Sequence, residues 1–290
     1  MKKINLILWS LSAVMAGSLV ASAQDAPATS SIPMVLQIIR EYVKPYKGGM
    51  AHDKTETAIS AAFAKAKFPY YYVGLTSMSG PARGLYLTQY SSFAEWEKGN
   101  KIIDKNPTLN AEVEKASVAD GELLESVDTG VFTFDADLSF HPHADISHAR
   151  YMRLIVFQIK PGHSMEWEKL VKLVKAAYEK AGTSAHWAMF DAAFGRESGT
   201  YIALTADNSM SEIDNSMTDD KKWAEAMGEK GMKDLEELSA SGMVSMRTEL
   251  FSINPRQSYV NPDWIAADPD FWKPKATAPK PAADKKEAKP

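Results

Sequence analysis

The segment YMRLIVFQIKPGH, residues 151–163, decides the fold of this chain, because a segment of the same kind occurs earlier. The earlier segment is LQIIREYVKPYK, residues 36–47. Each is rich in β-branched and aromatic residues, ends in Lys-Pro and leads into a helical pattern. The two Lys-Pro pairs lie 116 residues apart. This repetition predicts two related halves.

Further matches follow nearly the same spacing. GLYL at 84–87 aligns with GTYI at 199–202, and SFAEW at 92–96 aligns with SMSEI at 209–213. Around these anchors, each half runs strand, helix, two hairpin strands, helix and strand, which is the order of ferredoxin-like folds. The sequence therefore predicts an α+β protein with two tandem ferredoxin-like βαββαβ units, 34–140 and 150–253, joined by a linker at 141–149.

Both ends of the chain lie outside these units. Residues 1–23 combine a basic start, an apolar run and the small-residue motif Ala21-Ser22-Ala23, which is typical of a cleaved signal peptide. Residues 24–33 are predicted to be a flexible leader, and 273–290, rich in Lys, Pro and Ala, a disordered tail. We expect a periplasmic or secreted protein without stable membrane insertion after cleavage.

The segment 254–272 precedes that tail but differs from it in composition. It contains Tyr259, Trp264, Phe271 and Trp272, which is too many aromatic side chains for a segment in free solution. We therefore predict an extended strap that packs on the body of the protein.

Composition narrows the function classes. The chain has no cysteine, which excludes disulfides. Residues 24–272 carry 25 basic and 35 acidic side chains, a net charge of −10, which argues against a nucleic-acid partner. The sequence lacks a Gly-rich phosphate loop, a Gly-x-Ser-x-Gly elbow and a cysteine nucleophile, so nucleotide-dependent and nucleophilic hydrolase chemistry are unsupported.

The paired units, with Val-Lys-Pro and Ile-Lys-Pro-Gly-His ending their first strands, resemble the dimeric α/β-barrel superfamily in a tandem fused form. That superfamily includes antibiotic-biosynthesis monooxygenase-like and NIPSNAP-type proteins, haem-degrading monooxygenases and chlorite dismutases. The resemblance covers about 34–253 and implies two four-stranded antiparallel sheets that face each other as a pseudo-dimeric α/β barrel. It also implies a monomer with a pocket inside the barrel or beside its sheets.

The predicted linker holds a possible metal-ligand group. His141, His143, Asp145 and His148 lie within eight residues of one another. A His-x-His plus Asp pattern brings metal ligands together, although short patterns of this kind often lack a metal. The alternative interpretation is a solvated linker without a metal.

Charged residues in the first strands suggest a pocket. Arg40 shares a strand face with Leu36 and Ile38, whereas Glu41 lies on the opposite face of the same strand. Arg153 lies in the corresponding first strand of the second unit. A buried charge needs a partner or a ligand, so Arg40, Glu41 and Arg153 are pocket candidates. They would alternatively pair with one another or lie at wet strand ends.

Aromatic residues at the hairpins add three pocket candidates. His186 and Trp187 open a strand that should border the second pocket, and Tyr72 holds the corresponding place in the first unit. In haem-handling members of the superfamily, His and Trp near the pocket matter. The alternative is a structural role in the core.

Three functions follow from these patterns. The first is binding of a small apolar molecule, with cofactor-independent monooxygenase-like chemistry. The second is a non-catalytic envelope protein that serves structure or assembly. The third is a metal- or haem-dependent enzyme that uses the His residues. A roomy cavity with converging Arg, Tyr and His favours the first function, and a filled barrel with an exposed apolar patch favours the second.

Overall fold

The computed structural model describes residues 32–143 and 145–273, so the predicted signal peptide and most of the predicted tail lie outside the described residues. The strands are β1 Val35–Val43, β2 Tyr72–Ser77, β3 Arg83–Tyr90, β4 Leu124–Phe140, β5 Tyr151–Ile159, β6 Trp187–Phe194, β7 Thr200–Asp207 and β8 Met243–Ile253. The helices are α1 Met50–Ala66, α2 Phe93–Asp104, α3 Pro107–Gly121, α4 Ser164–Ala181, α5 Met210–Gly242, α6 Pro262–Ala267 and α7 Pro269–Trp272.

The eight strands form one closed barrel in the order β1-β3-β2-β8-β5-β7-β6-β4. Every neighbouring pair is antiparallel. Strands of the first half pair with strands of the second at two seams, β2 with β8 and β4 with β6. The chain is therefore a mixed α+β protein. Backbone pairing between the edge strands joins the two sheets, in addition to the contact between their facing surfaces.

Alternation along each strand separates an apolar lumen from an outer face. Leu36 and Ile38 of β1, Leu154 of β5 and Phe251 of β8 belong to the lumen core and are at most 1% exposed. Because strand side chains alternate between faces, the intervening residues of β1 point toward the helices. Glu41 consequently lies on the outer face, under α1, as the face assignment from sequence requires.

The helices begin and end at the residues that turn chemistry favours. The Ser92 hydroxyl accepts from the Glu95 backbone N–H at 3.2 Å and caps α2, and Asn106 caps α3 in the same way. Gly182 ends α4 in the left-handed conformation, with φ of 61°. The span Met210–Gly242, here called α5, consists of two helices that meet at a kink at Gly228, where φ is 67° and ψ is 172°.

The linker and the C-terminal segment close one end of the barrel. Ile146 and Ala149 are buried in the lumen core, so the linker is only partly solvated. Trp272 joins the same core, and its indole N–H donates to the Ser147 carbonyl at 2.7 Å. The segment 254–272 packs on the body of the protein and forms three short helical elements. Its prolines at helix N-termini explain this, since proline fits the first helical turn.

No helix among the described residues has the length and apolar character that crossing a membrane requires.

Truncation after Ile253 should destabilise the barrel, because it removes Val260 and Trp272 from the core, where they are 6% and 5% exposed. Burial of a large apolar side chain contributes about 1.5–3 kcal/mol. At roughly 2–4 °C per kcal/mol for a chain of this size, the melting temperature should fall by about 10 °C or more. Thermal unfolding measures this, and a chain that ends at Lys273 is the control. An unchanged melting temperature would refute the packing role of the segment.

Gly74→Ala should weaken the docking of the same segment. A methyl group at Gly74 would lie 2.5 Å from the Gln257 backbone oxygen, so the segment would have to move. Overpacking of this kind costs about 1–3 kcal/mol, measured as a change in the free energy of unfolding. Gly121→Ala is the control, because a methyl group there meets nothing within 4 Å. Equal stability of the two variants would contradict the close contact.

Candidate metal centre

Four ionisable side chains meet between the outer face of the first sheet and its helices. They are Glu41 of β1, His52 and Glu56 of α1, and Asp120 of α3. One ligand atom from each lies within 4.8 Å of the others. We call this group the carboxylate–histidine cluster. Within 32–143 and 145–273, no other group of three or more such residues comes this close.

Local sequence explains how α1 presents two members of the cluster and how β3 leaves room for one of them. His52 and Glu56 are four residues apart, so they occupy the same face of α1. Gly84 of β3 lies beneath them. A methyl group there would be 2.8 Å from the Tyr86 hydroxyl and 3.0 Å from His52 Cε1, so glycine leaves the room that the imidazole ring occupies.

The imidazole lies between two carboxylates. His52 Nε2 is 3.1 Å from Glu41 Oε2 and 3.6 Å from Asp120 Oδ1. The Thr55 hydroxyl donates to Asp120 and holds that carboxylate from the helix side. Glu41 has 12% of its side chain exposed, whereas those of His52 and Asp120 are 5% and 2% exposed. The cluster is thus buried, with Glu41 on its solvent side.

Glu56 is the member without a sufficient partner. It is 2% exposed, and its Oε1 has no hydrogen-bond partner among the described residues. Burial, together with the carboxylates of Glu41 and Asp120, raises the pKa of Glu56 to about 9, although a contact with the Tyr86 hydroxyl acts to lower it. Burial also raises the pKa of Asp120. Without a cation, the free protein would therefore hold a proton on Glu56 at neutral pH.

Two tyrosines complete the wall of the cluster. Tyr72 and Tyr86 pack with ring centroids 6.1 Å apart. Burial, followed by the charges of Glu56 and Glu41, raises the pKa of both well above the ordinary value. The Tyr72 hydroxyl is buried and has no hydrogen-bond partner within the described part of the chain. Two orphaned oxygens, on Tyr72 and Glu56, therefore belong to the same small region.

The C-terminal segment braces the cluster from outside. Gln257, which is 1% exposed, donates from Nε2 to Asp53 Oδ1 at 2.7 Å, and Asn254 donates to the same oxygen at 2.8 Å. The Tyr86 hydroxyl is 3.4 Å from Gln257 Oε1. Because Asp53 lies next to His52 on α1, these bonds fix the helix that carries two members of the cluster.

The second half fills the same kind of space with apolar side chains. Between β5, β7 and α4, the Trp167 ring packs 4.8 Å from Phe157 and 5.3 Å from Tyr201. These residues belong to a compact apolar cluster. The ionisable group is therefore specific to the first half, although both halves have a helix over the outer face of the sheet.

Two residues of this region were pocket candidates from the sequence alone. Glu41 and Tyr72 were pocket candidates, and both lie at the cluster. His52, Glu56 and Asp120 were not among the residues that the sequence singled out. The signal in the sequence was the spacing of His and Glu by four residues, which places both on one helical face.

The remaining pocket candidates lie elsewhere. Arg153 faces outward and forms a two-point ion pair with Asp207, with both N–O distances 2.8 Å. Trp187 packs against Phe140 and donates to the Leu138 carbonyl at 2.9 Å. The charge of Arg153 is thus compensated by Asp207, and not by Arg40 or Glu41. Arg40 faces the lumen, 3.6 Å from Asp128.

His186 and the linker residues do not converge on one point. The His143 and His186 rings pack edge to face at 4.5 Å, and His186 Nε2 is 3.2 Å from the Ala206 carbonyl oxygen. His141 stacks on Phe140, while the Asp145 carboxylate accepts from the Ser147 N–H at 2.9 Å. His148 Nδ1 is 3.0 Å from the Ser147 hydroxyl. The described linker residues thus have separate local partners.

The lumen is largely filled. A cavity of about 60 Å³ lies near Ile146, Met152 and Phe190. A second cavity of about 170 Å³ is a groove between Tyr71 of the first half and Trp264 of the C-terminal segment. Small-molecule pockets usually span roughly 300–1,000 Å³. Neither of these two cavities reaches that range, so neither suits a haem-sized group.

Comparison with known proteins shows which solved structures have a similar fold. No protein family model matches the chain, and no curated protein sequence matches it. The chain is similar to a solved structure from Fusobacterium nucleatum named "putative monooxygenase", with a TM-score of 0.52 at 9% identity over 77% of this chain and 93% of that one.

Two further solved structures are similar. An anthrone oxidase-like protein gives a TM-score of 0.49 at 13% identity, over 76% of this chain and 92% of that one. A chlorite dismutase variant from Candidatus Nitrospira defluvii gives 0.46 at 6% identity, over 79% and 94%. At such identities the likeness shows fold alone. The likeness to the Fusobacterium nucleatum structure, at a TM-score of 0.52, shows that the chain has a monooxygenase-like α/β-barrel fold.

Proposed function

We propose that the protein binds one divalent metal ion at the carboxylate–histidine cluster, on a barrel of monooxygenase-like fold. The observation that carries the proposal is the orphaned Oε1 of Glu56, which is buried within a group of four metal-ligand side chains. A buried carboxylate is costly unless it is protonated, paired or coordinated. One cation would serve Glu41, Glu56 and Asp120 together.

The charges of the cluster favour a cation over a purely structural network. Three carboxylates and one imidazole meet in a region from which water is largely excluded. Their negative charges repel one another, as the raised pKa of Glu56 reflects. A divalent ion would displace the proton from Glu56 and reverse that repulsion, because metal ligands bind in their deprotonated forms.

The donor set indicates the kind of metal. Carboxylate oxygens suit Mg²⁺, Ca²⁺ and Mn²⁺, whereas imidazole suits Fe, Zn, Cu and Ni. A site with three carboxylates and one imidazole fits Mn²⁺ or Fe²⁺, which accept both donor types. Tyr72 and Tyr86 would lie beside the ion. This centre uses His52, and not the linker histidines, for the metal-dependent alternative.

A second candidate is binding of a small apolar molecule, with monooxygenase-like chemistry. The groove beside the C-terminal segment favours it, because Tyr70, Tyr71, Tyr72 and Trp264 supply an aromatic lining. A ligand there would lie outside the lumen. Retained ligand, detected by mass spectrometry of protein from its native source, tests this candidate. A further candidate is a non-catalytic envelope protein that serves structure or assembly, and the filled lumen supports it.

We further propose that the barrel is a fused pseudo-dimer that is exported. The repeated element order and the two matching seams, β2 with β8 and β4 with β6, support the pseudo-dimer. The motif Ala21-Ser22-Ala23 supports export. The mass of the mature N-terminus tests export, and the solution mass tests whether one chain suffices.

Metal binding should stabilise the wild type and not Glu56→Gln. The amide keeps the shape of a protonated Glu56 but cannot supply an anionic ligand. At a free Mn²⁺ concentration about a hundredfold above Kd, binding adds about 2.7 kcal/mol, or roughly 5–10 °C in melting temperature. Metal analysis and melting with and without Mn²⁺ measure this.

Glu112→Gln is the matched control for that experiment. It makes the same acid-to-amide change on α3, where Glu112 is partly exposed and pairs with Lys65. It should keep the full response to Mn²⁺. The proposal fails if no divalent ion stabilises the wild type, or if Glu56→Gln responds as the wild type does.

A further inference from the structure

Four arginines gather at the end of the barrel where β1 ends and β3 begins. Their ion pairs bring together Arg40 of β1, Arg83 of β3, Arg247 of β8 and Arg196 of the turn after β6. The whole chain has seven arginines, and residues 24–272 carry a net charge of −10. A majority of the arginines therefore lies at one place in an acidic protein. We call this place the arginine end.

Two carboxylates serve the four guanidinium groups. Asp128 pairs with Arg196 and, at 3.6 Å, with Arg40. Glu249 pairs with Arg83 and, at 3.0 Å, with Arg247. Among these paired residues, the arginine end carries two more positive than negative charges.

Arg40 is the guanidinium whose charge is least compensated. It is 6% exposed, and its Nε has no hydrogen-bond partner among the described residues. Its closest acidic oxygen is 3.6 Å away, on Asp128, which Arg196 holds more closely. A buried charge without close hydrogen bonds is unfavourable, so Arg40 is set up to receive an anion.

The walls beside these charges are apolar. The Arg83 guanidinium lies 5.3 Å from the Phe251 ring centroid and 6.0 Å from that of Tyr42. Leu85 pairs with Arg40 across β1 and β3 and is 1% exposed. A ligand here would meet positive charge on one side and apolar surface on the other.

Glu249 contributes a hydrogen-bond acceptor to the arginine end. Its Oε2 is buried and has no hydrogen-bond partner among the described residues, although Oε1 is paired. An ionised carboxylate can accept hydrogen bonds but cannot donate them. The free oxygen of Glu249 therefore suits a hydroxyl or N–H group of a ligand. The arginine end thus offers donors for an anion and one acceptor.

From these contacts we propose that the arginine end binds a small organic carboxylate that carries an apolar body and a hydrogen-bond donor. Arg40 would donate to the carboxylate, and Glu249 would accept from the donor. The site is separate from the carboxylate–histidine cluster, because Arg40 faces the lumen and Glu41 the helices. The two sites can therefore be tested independently.

The test uses the full chain with 4-hydroxybenzoate at low ionic strength, by isothermal titration calorimetry. The wild type should bind this probe, and Arg40→Gln should bind it at least about tenfold more weakly, as expected for loss of a charged hydrogen bond. Asp128→Asn should bind more tightly, because it removes the carboxylate that competes for Arg40. Lys65→Gln removes one exposed positive charge elsewhere and should bind as the wild type does.

A further variant and two further probes keep the proposal falsifiable. Arg247 is 59% exposed, so Arg247→Gln should fold and still weaken binding if Arg40→Gln does not fold. The neutral 4-hydroxybenzamide and inorganic phosphate should both bind more weakly than 4-hydroxybenzoate. The proposal is overturned if the wild type does not bind the carboxylate, if the amide or phosphate binds equally well, or if every folded arginine variant binds as the wild type does.

Discussion

Closure of the barrel is the constraint on which the other features depend. A sheet of four strands has two edges with unpaired backbone groups, and the pairing of β2 with β8 and of β4 with β6 joins these edges into a closed barrel. Closure also gives every strand one face toward a confined lumen and one toward the helices. Adjacent residues therefore enter different environments, as Arg40 and Glu41 show on β1.

The lumen and the outer layer divide structure from possible chemistry. Leu36, Ile38, Leu154 and Phe251 are among the apolar side chains that fill the lumen and stabilise the barrel through burial. Within the described residues, buried polar atoms without a hydrogen bond lie at the arginine end, under α1 and at the start of α4. Buried polar groups are normally paired, so these places are unusual, and the first two are the candidate sites.

The two halves share an order of elements but not an outer layer. Under α4, Trp167 and its aromatic neighbours form an ordinary apolar contact. Under α1, His52 and Glu56 replace such a contact, and Gln257 reaches back from the C-terminal segment to hold the helix. That segment thus supports the barrel end through Trp272 and the candidate metal centre through Gln257.

The sequence by itself determined the repeated strand and helix order and the faces of β1. These follow from local periodicity and turn chemistry, which act over a few residues. It missed His52, because the first turn of α1 follows Gly48-Gly49 and carries few apolar residues.

Only the tertiary structure decided which side chains meet. Asp53 and Gln257 are 204 residues apart, and the arginine end draws on three strands and a turn. Such contacts depend on the register in which distant strands close the barrel, and no local pattern records that register.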